Sequence, residues 1–270
     1  LNPLFYITKD QSDILPEQIP IVFLHGFTGS ANEWLKFFSS IPAKFFAVTI
    51  DLPGHGKSVL PQPEEYSQEN MIRLLLDLFQ SLHFTKLLIV GYSMGGRAAL
   101  SFVNQYPDMV RGLFLESATA GIENAEEQKE RVKKDNELAD FIFENGLGKF
   151  TDYWTNLPLF DSQKSLSFEK QNDIRKAKLK NDLDGLAYSL RGFSSGSMTQ
   201  LWDKIPAFNF PVHLLTGELD EKFTAINSHM NDLLPDSEHT IINNCGHNVH
   251  LENPEAFIDV LLLYLNKFIV

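Results

Sequence analysis

Six short runs of apolar, β-prone residues are spaced along this 270-residue chain: "IVFL" (21–24), "FFAVTI" (45–50), "KLLIVG" (86–91), "GLFLES" (112–117), "VHLLTG" (212–217) and "HTIINN" (239–244). Several are apolar without interruption. A strand with one wet face alternates polar and apolar residues, so a continuous run means a strand covered on both faces. Helical patterns lie between the runs. In "SQENMIRLLLDLFQSLH", Met71, Leu74, Leu75 and Leu78 recur at helical spacing behind Ser67, a capping residue, and "NPEAFIDVLLLYLNKFI" carries Pro254 near a helix start. Strand alternating with helix predicts an α/β fold, a mostly parallel sheet flanked by helices on both faces. The 43% hydrophobic content is ordinary for a folded globular chain of this length.

One connection breaks the rhythm. More than ninety residues separate Ser117 from Val212, far beyond a crossover helix, and they read as an inserted cap. The expected division is a core of residues 1–120 and 208–270 with a mainly helical cap at 121–207, running from "NAEEQKERVKKDNELADFIF" through "QNDIRKAKLK". Between Gly121 and Ile205 there are 13 Lys and Arg against 15 Asp and Glu, a balance of -2, which leaves -10 for the rest of the chain. The cap is the less acidic part.

A formal net charge of -12 without a basic stripe argues against nucleic acid and anionic membrane surfaces as partners. Apolar runs such as "LLLYL" are far too short for membrane insertion. Cys245 is the single cysteine, so no internal disulfide forms, and a reducing, cytoplasmic setting is expected. The first residues, "LNPLFYITKD", lack the basic start and apolar core of a secretory signal. No H-E-x-x-H, ligand cluster or G-x-G-x-x-G points to a metal or dinucleotide. "DLPGHGKS" ends like a phosphate-binding loop, but Asp51 stands where that loop needs glycine, and Pro61 and Pro63 break the helix that would follow.

The chemistry centres on "KLLIVGYSMGGRAAL". An apolar strand runs into Ser93 and an apolar helix leaves it, while Gly91 and Gly95 permit a sharp turn that lifts the hydroxyl above the sheet edge. A serine hydroxyl is a poor base or nucleophile until an imidazole takes its proton, and the imidazole needs a carboxylate to hold its tautomer. On such a sheet these partners follow in the order Ser, Asp, His. "LLTGELDEKF" supplies Asp220, with Glu218 as its rival, and "NNCGHNVHLENP" supplies His247, with His250 as its rival. Asp220 and His247 are preferred, because Glu218 sits at the strand end and His250 heads into the last helix. His213, on a strand, and His83, at a helix end, read as structural. An oxyanion hole needs two backbone amides. Met94, after the serine, and Phe27, in "LHGF" after the first long strand, are placed to supply them.

With "LHGFTGS", "DLPGHGKS", "GYSMGGR", "GELDEKF" and "GHNVHLENP" in order, the chain resembles the α/β-hydrolase superfamily over essentially its whole length. Within it, the chain is most similar to the 2-succinyl-6-hydroxy-2,4-cyclohexadiene-1-carboxylate synthases of menaquinone biosynthesis. Tyr92, Arg97, "DEKF" and a cap containing "NAEEQKER" and "DYWTNLPLF" carry that finer likeness. The resemblance implies an α/β-hydrolase fold and a 2,5-elimination of pyruvate from a cyclohexene carboxylate, without a cofactor. Ser93 would be the base, and the oxyanion hole would stabilise carboxylate-derived charge. It further implies that a small polycarboxylate substrate meets Arg97 and Arg131, packs on or hydrogen-bonds Tyr92 and Trp154, and finds a third cation in Lys178, where the family has arginine; Arg175 is the other candidate. The same triad also serves serine hydrolases of small esters, thioesters or carbon-carbon bonds, for which a cap pocket lined by Phe141, Phe143 and Phe150 without a cation is the expected sign. A non-catalytic ligand receptor is disfavoured by the filled triad.

Overall fold

The uninterrupted apolar runs become the inner strands of one seven-stranded sheet. The computed structural model describes residues 2–9 and 14–269. In chain order the elements are β1 (Tyr6–Thr8), β2 (Ile19–Leu24), β3 (Phe45–Ile50), α1 (Gln68–Ser81), β4 (Leu87–Tyr92), α2 (Met94–Gln105), β5 (Val110–Glu116), α3 (Ala125–Thr155), α4 (Phe168–Lys178), α5 (Leu183–Gly192), β6 (Val212–Gly217), α6 (Glu221–Leu233), β7 (Ser237–Ile242), α7 (Val249–Glu252) and α8 (Pro254–Leu265), with short 3-10 stretches between some of them. The sheet order is β1-β3-β2-β4-β5-β6-β7. All pairs are parallel except β1 with β3.

Why the inner strands are apolar throughout is visible in their side chains. Val22 and Leu24 of β2 enter the core on one face with Ile89 of β4, while Ile21 and Phe23 enter the other with Leu88 and Val90. The first face packs on α1 and α2, the second on Trp34 and Phe37 and on Phe257 and Leu261 of α8. Ser67 caps α1 by accepting the Asn70 N–H at 3.3 Å, and Pro254 opens α8 behind its cap Asn253. β1 has no counterpart among the six expected strands. Three residues are too few to show a period, and β1 lies at the sheet edge, where one neighbour is enough.

Helices α3, α4 and α5 all lie between β5 and β6 and carry a small apolar core of their own, including Ala139, Ile142, Phe150, Leu186 and Leu190. α3 kinks at Gly146, whose φ of 75° leaves the helical region. The "DLPGHGKS" turn closes on its own acid: Asp51 accepts the amides of Ala31 at 2.7 Å and Lys57 at 2.8 Å. A side chain on Gly54 would fall 2.2 Å from the Gly185 carbonyl of α5. The turn therefore seats the cap rather than a phosphate.

Candidate active site

Ser93 sits between β4 and α2 with φ 50° and ψ -106°, a conformation that costs a non-glycine residue on the order of 1–3 kcal/mol. The neighbours enforce it. A Cβ on Gly95 would lie 2.2 Å from the Leu24 carbonyl, and one on Gly91 2.7 Å from the Gly95 carbonyl, so helix and strand meet more closely than side chains allow. The Ser93 amide is held by the Glu116 carbonyl at 2.8 Å, and its own carbonyl accepts the Arg97 N–H at 3.0 Å.

Three loops at the same sheet edge complete the arrangement. Asp220 follows β6 and caps α6, one carboxylate oxygen accepting the Phe223 N–H at 3.3 Å and the other facing His247 Nδ1 at 2.6 Å. His247 follows β7, and its Nε2 lies 3.0 Å from Ser93 Oγ. The geometry puts a proton on Nδ1, toward the acid, and a lone pair on Nε2, toward the serine. Both Asp220 and His247 are buried. The rings of Phe223, Tyr92 and Phe160 surround the imidazole. Ser93, His247 and Asp220 thus form one continuous hydrogen-bonded chain, an arrangement able to pass a proton from serine to imidazole.

The two amides expected to bind an oxyanion are those of Met94 and Phe27. Met94 is the first residue of α2, where its N–H has no intrahelical acceptor. The Phe27 amide finds no acceptor among the described residues, while the carbonyl of the same peptide, that of Gly26, is held by His25 Nδ1 at 2.7 Å.

A cavity of about 890 Å³ opens above Ser93, between the sheet edge and the cap. Phe27, Tyr92, Arg97, Arg131 and Trp154 line it together with Ser93, Asp220 and His247. Arg97 is only 9% exposed, donates one hydrogen bond to the Phe193 carbonyl at 3.2 Å, stacks on that residue's ring, and pairs with no carboxylate among the described residues. Burial, with Arg131 nearby, pulls its pKa down to about 9. Arg131 is anchored differently: its Nε donates to both oxygens of buried Asp135, at 2.8 and 2.9 Å. Trp154 presents an indole N–H that is buried without an acceptor among the described residues. Burial, reinforced by Glu116 and Glu33, raises the Tyr92 phenol well above its ordinary value and keeps it neutral.

Lys178 and Arg175 are not brought to this wall. The Lys178 ammonium donates to Thr28 Oγ1 at 2.7 Å, and Arg175 reaches across to Asp152 at 2.6 Å on another side of the cap. The cation found on the wall instead is Lys222, in the "DEKF" that follows the acid, with Glu123, Glu127 and Glu221 also on the lining. The phenylalanines of an ester pocket are absent from it. Phe150 is buried in the cap's own core, with Phe141 and Phe143 packed against that core.

The rival residues have other partners. Glu218 is exposed and accepts the Asn244 N–H at 3.0 Å. His250 is buried behind Tyr92, with Nδ1 2.7 Å from Glu116 and Nε2 3.7 Å from Glu33. Burial alone would lower its pKa, but the two carboxylates outweigh burial and raise it. Glu116 escaped the sequence reading because a single acid ending a strand has no periodic signature. His213 bonds Thr240 and is pushed to about 4 by burial, in keeping with a structural role. Among the described residues, no cluster of His, Cys, Asp or Glu is placed to hold a metal, and no helix is long and apolar enough to cross a membrane.

Residues 19–254 match the family described as alpha/beta hydrolase fold. A putative 2-succinyl-6-hydroxy-2,4-cyclohexadiene-1-carboxylate synthase from Bacillus subtilis (strain 168) is 41% identical over 248 residues, covering 92% of this chain and 90% of that protein. The synthase of that name from Klebsiella pneumoniae subsp. pneumoniae is 33% identical over 241 residues, covering 89% and 91%. Among solved structures, MenH from S. aureus superposes with a TM-score of 0.91 at 31% identity, covering 97% of this chain and 98% of that one.

Proposed function

Because this chain belongs to the α/β-hydrolase family and, within it, to the 2-succinyl-6-hydroxy-2,4-cyclohexadiene-1-carboxylate synthases, we propose that it eliminates pyruvate from 2-succinyl-5-enolpyruvyl-6-hydroxy-3-cyclohexene-1-carboxylate in menaquinone biosynthesis. The enzyme is a carbon-oxygen lyase. The observation that carries the reading is Arg97: a buried guanidinium that pairs with no carboxylate among the described residues opens onto the same cavity as Ser93, as a site for an anion requires.

His247, held by Asp220, takes the Ser93 proton, and Ser93 Oγ takes the proton from ring carbon 2. That C–H electron pair becomes the 2,3 double bond, the former 3,4 double bond shifts to 4,5, and the bond from carbon 5 to the enolpyruvyl oxygen breaks. The departing enolate gains a proton and becomes pyruvate. No electrons are gained or lost overall, so the step requires no redox cofactor. The amides of Phe27 and Met94 face the oxygen on which negative charge develops. Arg97 and Arg131 bind the substrate's carboxylates, while Tyr92 and Trp154 hold the ring and its polar groups. Residues 121–207 are the lid over a core of 1–120 and 208–270. The lone cysteine favours a reducing, cytoplasmic setting, with a small-molecule polycarboxylate as partner and neither nucleic acid nor membrane.

The test is a single turnover in oxygen-18 water, following diene by absorbance and pyruvate by mass. One pyruvate per diene, no covalent Ser93 adduct, and no solvent oxygen in the ring product are expected, once exchange at the pyruvate ketone is corrected. A Ser93 acyl-enzyme on the turnover path would make the protein a hydrolase instead.

A further inference from the structure

Thr28 follows the Phe27 amide and occupies φ 69°, in the left-handed region that a β-branched residue avoids. Such a conformation persists only where surrounding contacts over-determine it. Those contacts come from the cap. Lys178, the last residue of α4, donates from Nζ to Thr28 Oγ1 at 2.7 Å, and Asn181, three residues later, donates from Nδ2 to the Thr28 carbonyl at 2.9 Å. Asn181 is anchored in turn, its Oδ1 accepting the Gly56 N–H at 2.9 Å. On the other side of Phe27, His25 Nδ1 holds the Gly26 carbonyl at 2.7 Å while its Nε2 accepts the Leu52 N–H at 3.0 Å. The peptide that presents the Phe27 amide is therefore fixed from the core at one end and from the cap at the other.

We propose that Lys178 and Asn181 are positioning residues: through Thr28 they hold the oxyanion loop, so that the cap is a working part of the oxyanion hole and not only a cover for the substrate. The inference rests on the reaction proposed above. Lys178 is off the cavity wall and makes no ion pair among the described residues, although Glu33 acts on it electrostatically. Burial lowers its pKa, as expected for an ammonium withdrawn from solvent to hold a hydroxyl. A residue that contacts a substrate carboxylate stabilises ground and transition states alike and is read in KM. A residue that aims an oxyanion donor is read in kcat.

The experiment measures kcat, KM and melting temperature for pyruvate release by Lys178→Met, Lys178→Arg, Asn181→Ala, Thr28→Val and the double variant Lys178→Met with Thr28→Val. Deleting an oxyanion donor outright costs about 100- to 1000-fold, so a misaimed one should lower kcat by about 10- to 100-fold with KM within about twofold. Thr28→Val, which keeps the shape and removes the hydroxyl, should match Lys178→Met, and the double variant should be no worse than the worse single. Asn181→Ala should move kcat in the same direction, and Lys178→Arg should recover part of the loss. The proposal is overturned if Lys178→Met raises KM tenfold or more while Thr28→Val stays at wild type, if the two losses multiply, or if neither parameter moves. If Lys178→Met does not fold, Thr28→Val decides alone: a kcat loss at constant KM supports the proposal, and wild-type kinetics overturn it. Failure of the proposed reaction itself is distinguishable, because the wild-type protein would then release no pyruvate.

Discussion

Replacing Arg97 by methionine separates binding from folding. The side chain is 9% exposed, its one hydrogen bond goes to the Phe193 carbonyl, and it pairs with no carboxylate among the described residues. Removing one partner from a desolvated charge pair costs about 2–5 kcal/mol, and each ~1.4 kcal/mol is tenfold, so kcat/KM should fall by roughly 30- to 4000-fold. Stability should respond differently. Exchanging a buried charge for an apolar side chain of similar length relieves its desolvation penalty, on the order of a few kcal/mol, while the orphaned Phe193 carbonyl loses about 1–3 kcal/mol. The two nearly cancel, and the melting temperature should stay within a few degrees of wild type. Arg131→Met provides the contrast, because it strands the buried Asp135 carboxylate. With the arginine 39% exposed, that loss is reduced by solvent to about 1–3 kcal/mol, or several degrees of melting temperature. Steady-state diene formation and thermal unfolding of both variants provide the assay. A large fall in the Arg97→Met melting temperature with kcat/KM within threefold of wild type would show that Arg97 serves the fold, and the anion argument would fail.

Ser93→Ala and His247→Ala should each lose several orders of magnitude in turnover with the fold intact, and Asp220→Asn somewhat less; folded Ser93→Ala at near wild-type rate refutes the relay. Gly95→Ala should express poorly or melt far below wild type, since its methyl would lie 2.2 Å from the Leu24 carbonyl, and a stable, active variant would contradict the tight elbow. His250 is held protonated by Glu116 and Glu33 against the opposing effect of burial, so its folded pKa is raised above 6.5. The stabilisation is fully present below 6.5 and is lost as pH rises through the raised value, so His250→Gln should flatten the decline in melting temperature that sets in above pH 6.5. An identical slope in both proteins would place the titration elsewhere.

What the sequence alone determined is what local chemistry encodes. Strands buried on both faces must be apolar throughout, so β2 to β6 announced themselves, as did the helices behind Ser67 and Asn253. Ser93 was legible because a strand, two glycines and a helix leave one way to turn, and Asp220 and His247 because loops after consecutive strands of a parallel sheet open at one edge. The cap's cations were another matter. α4 carries Arg175, Lys176 and Lys178 within four residues and buries none of its side chains fully, so no apolar stripe says which side faces inward. Packing decided it: Arg175 turned to Asp152, Lys178 to Thr28, and the cavity wall received Lys222 from the core instead. Nor could the sequence join Glu116 to His250, 134 residues apart, because a buried ion pair depends on which chain ends the sheet order brings together. Strand and helix period are written in neighbouring residues; the direction of a long charged side chain is fixed only when distant elements pack against it.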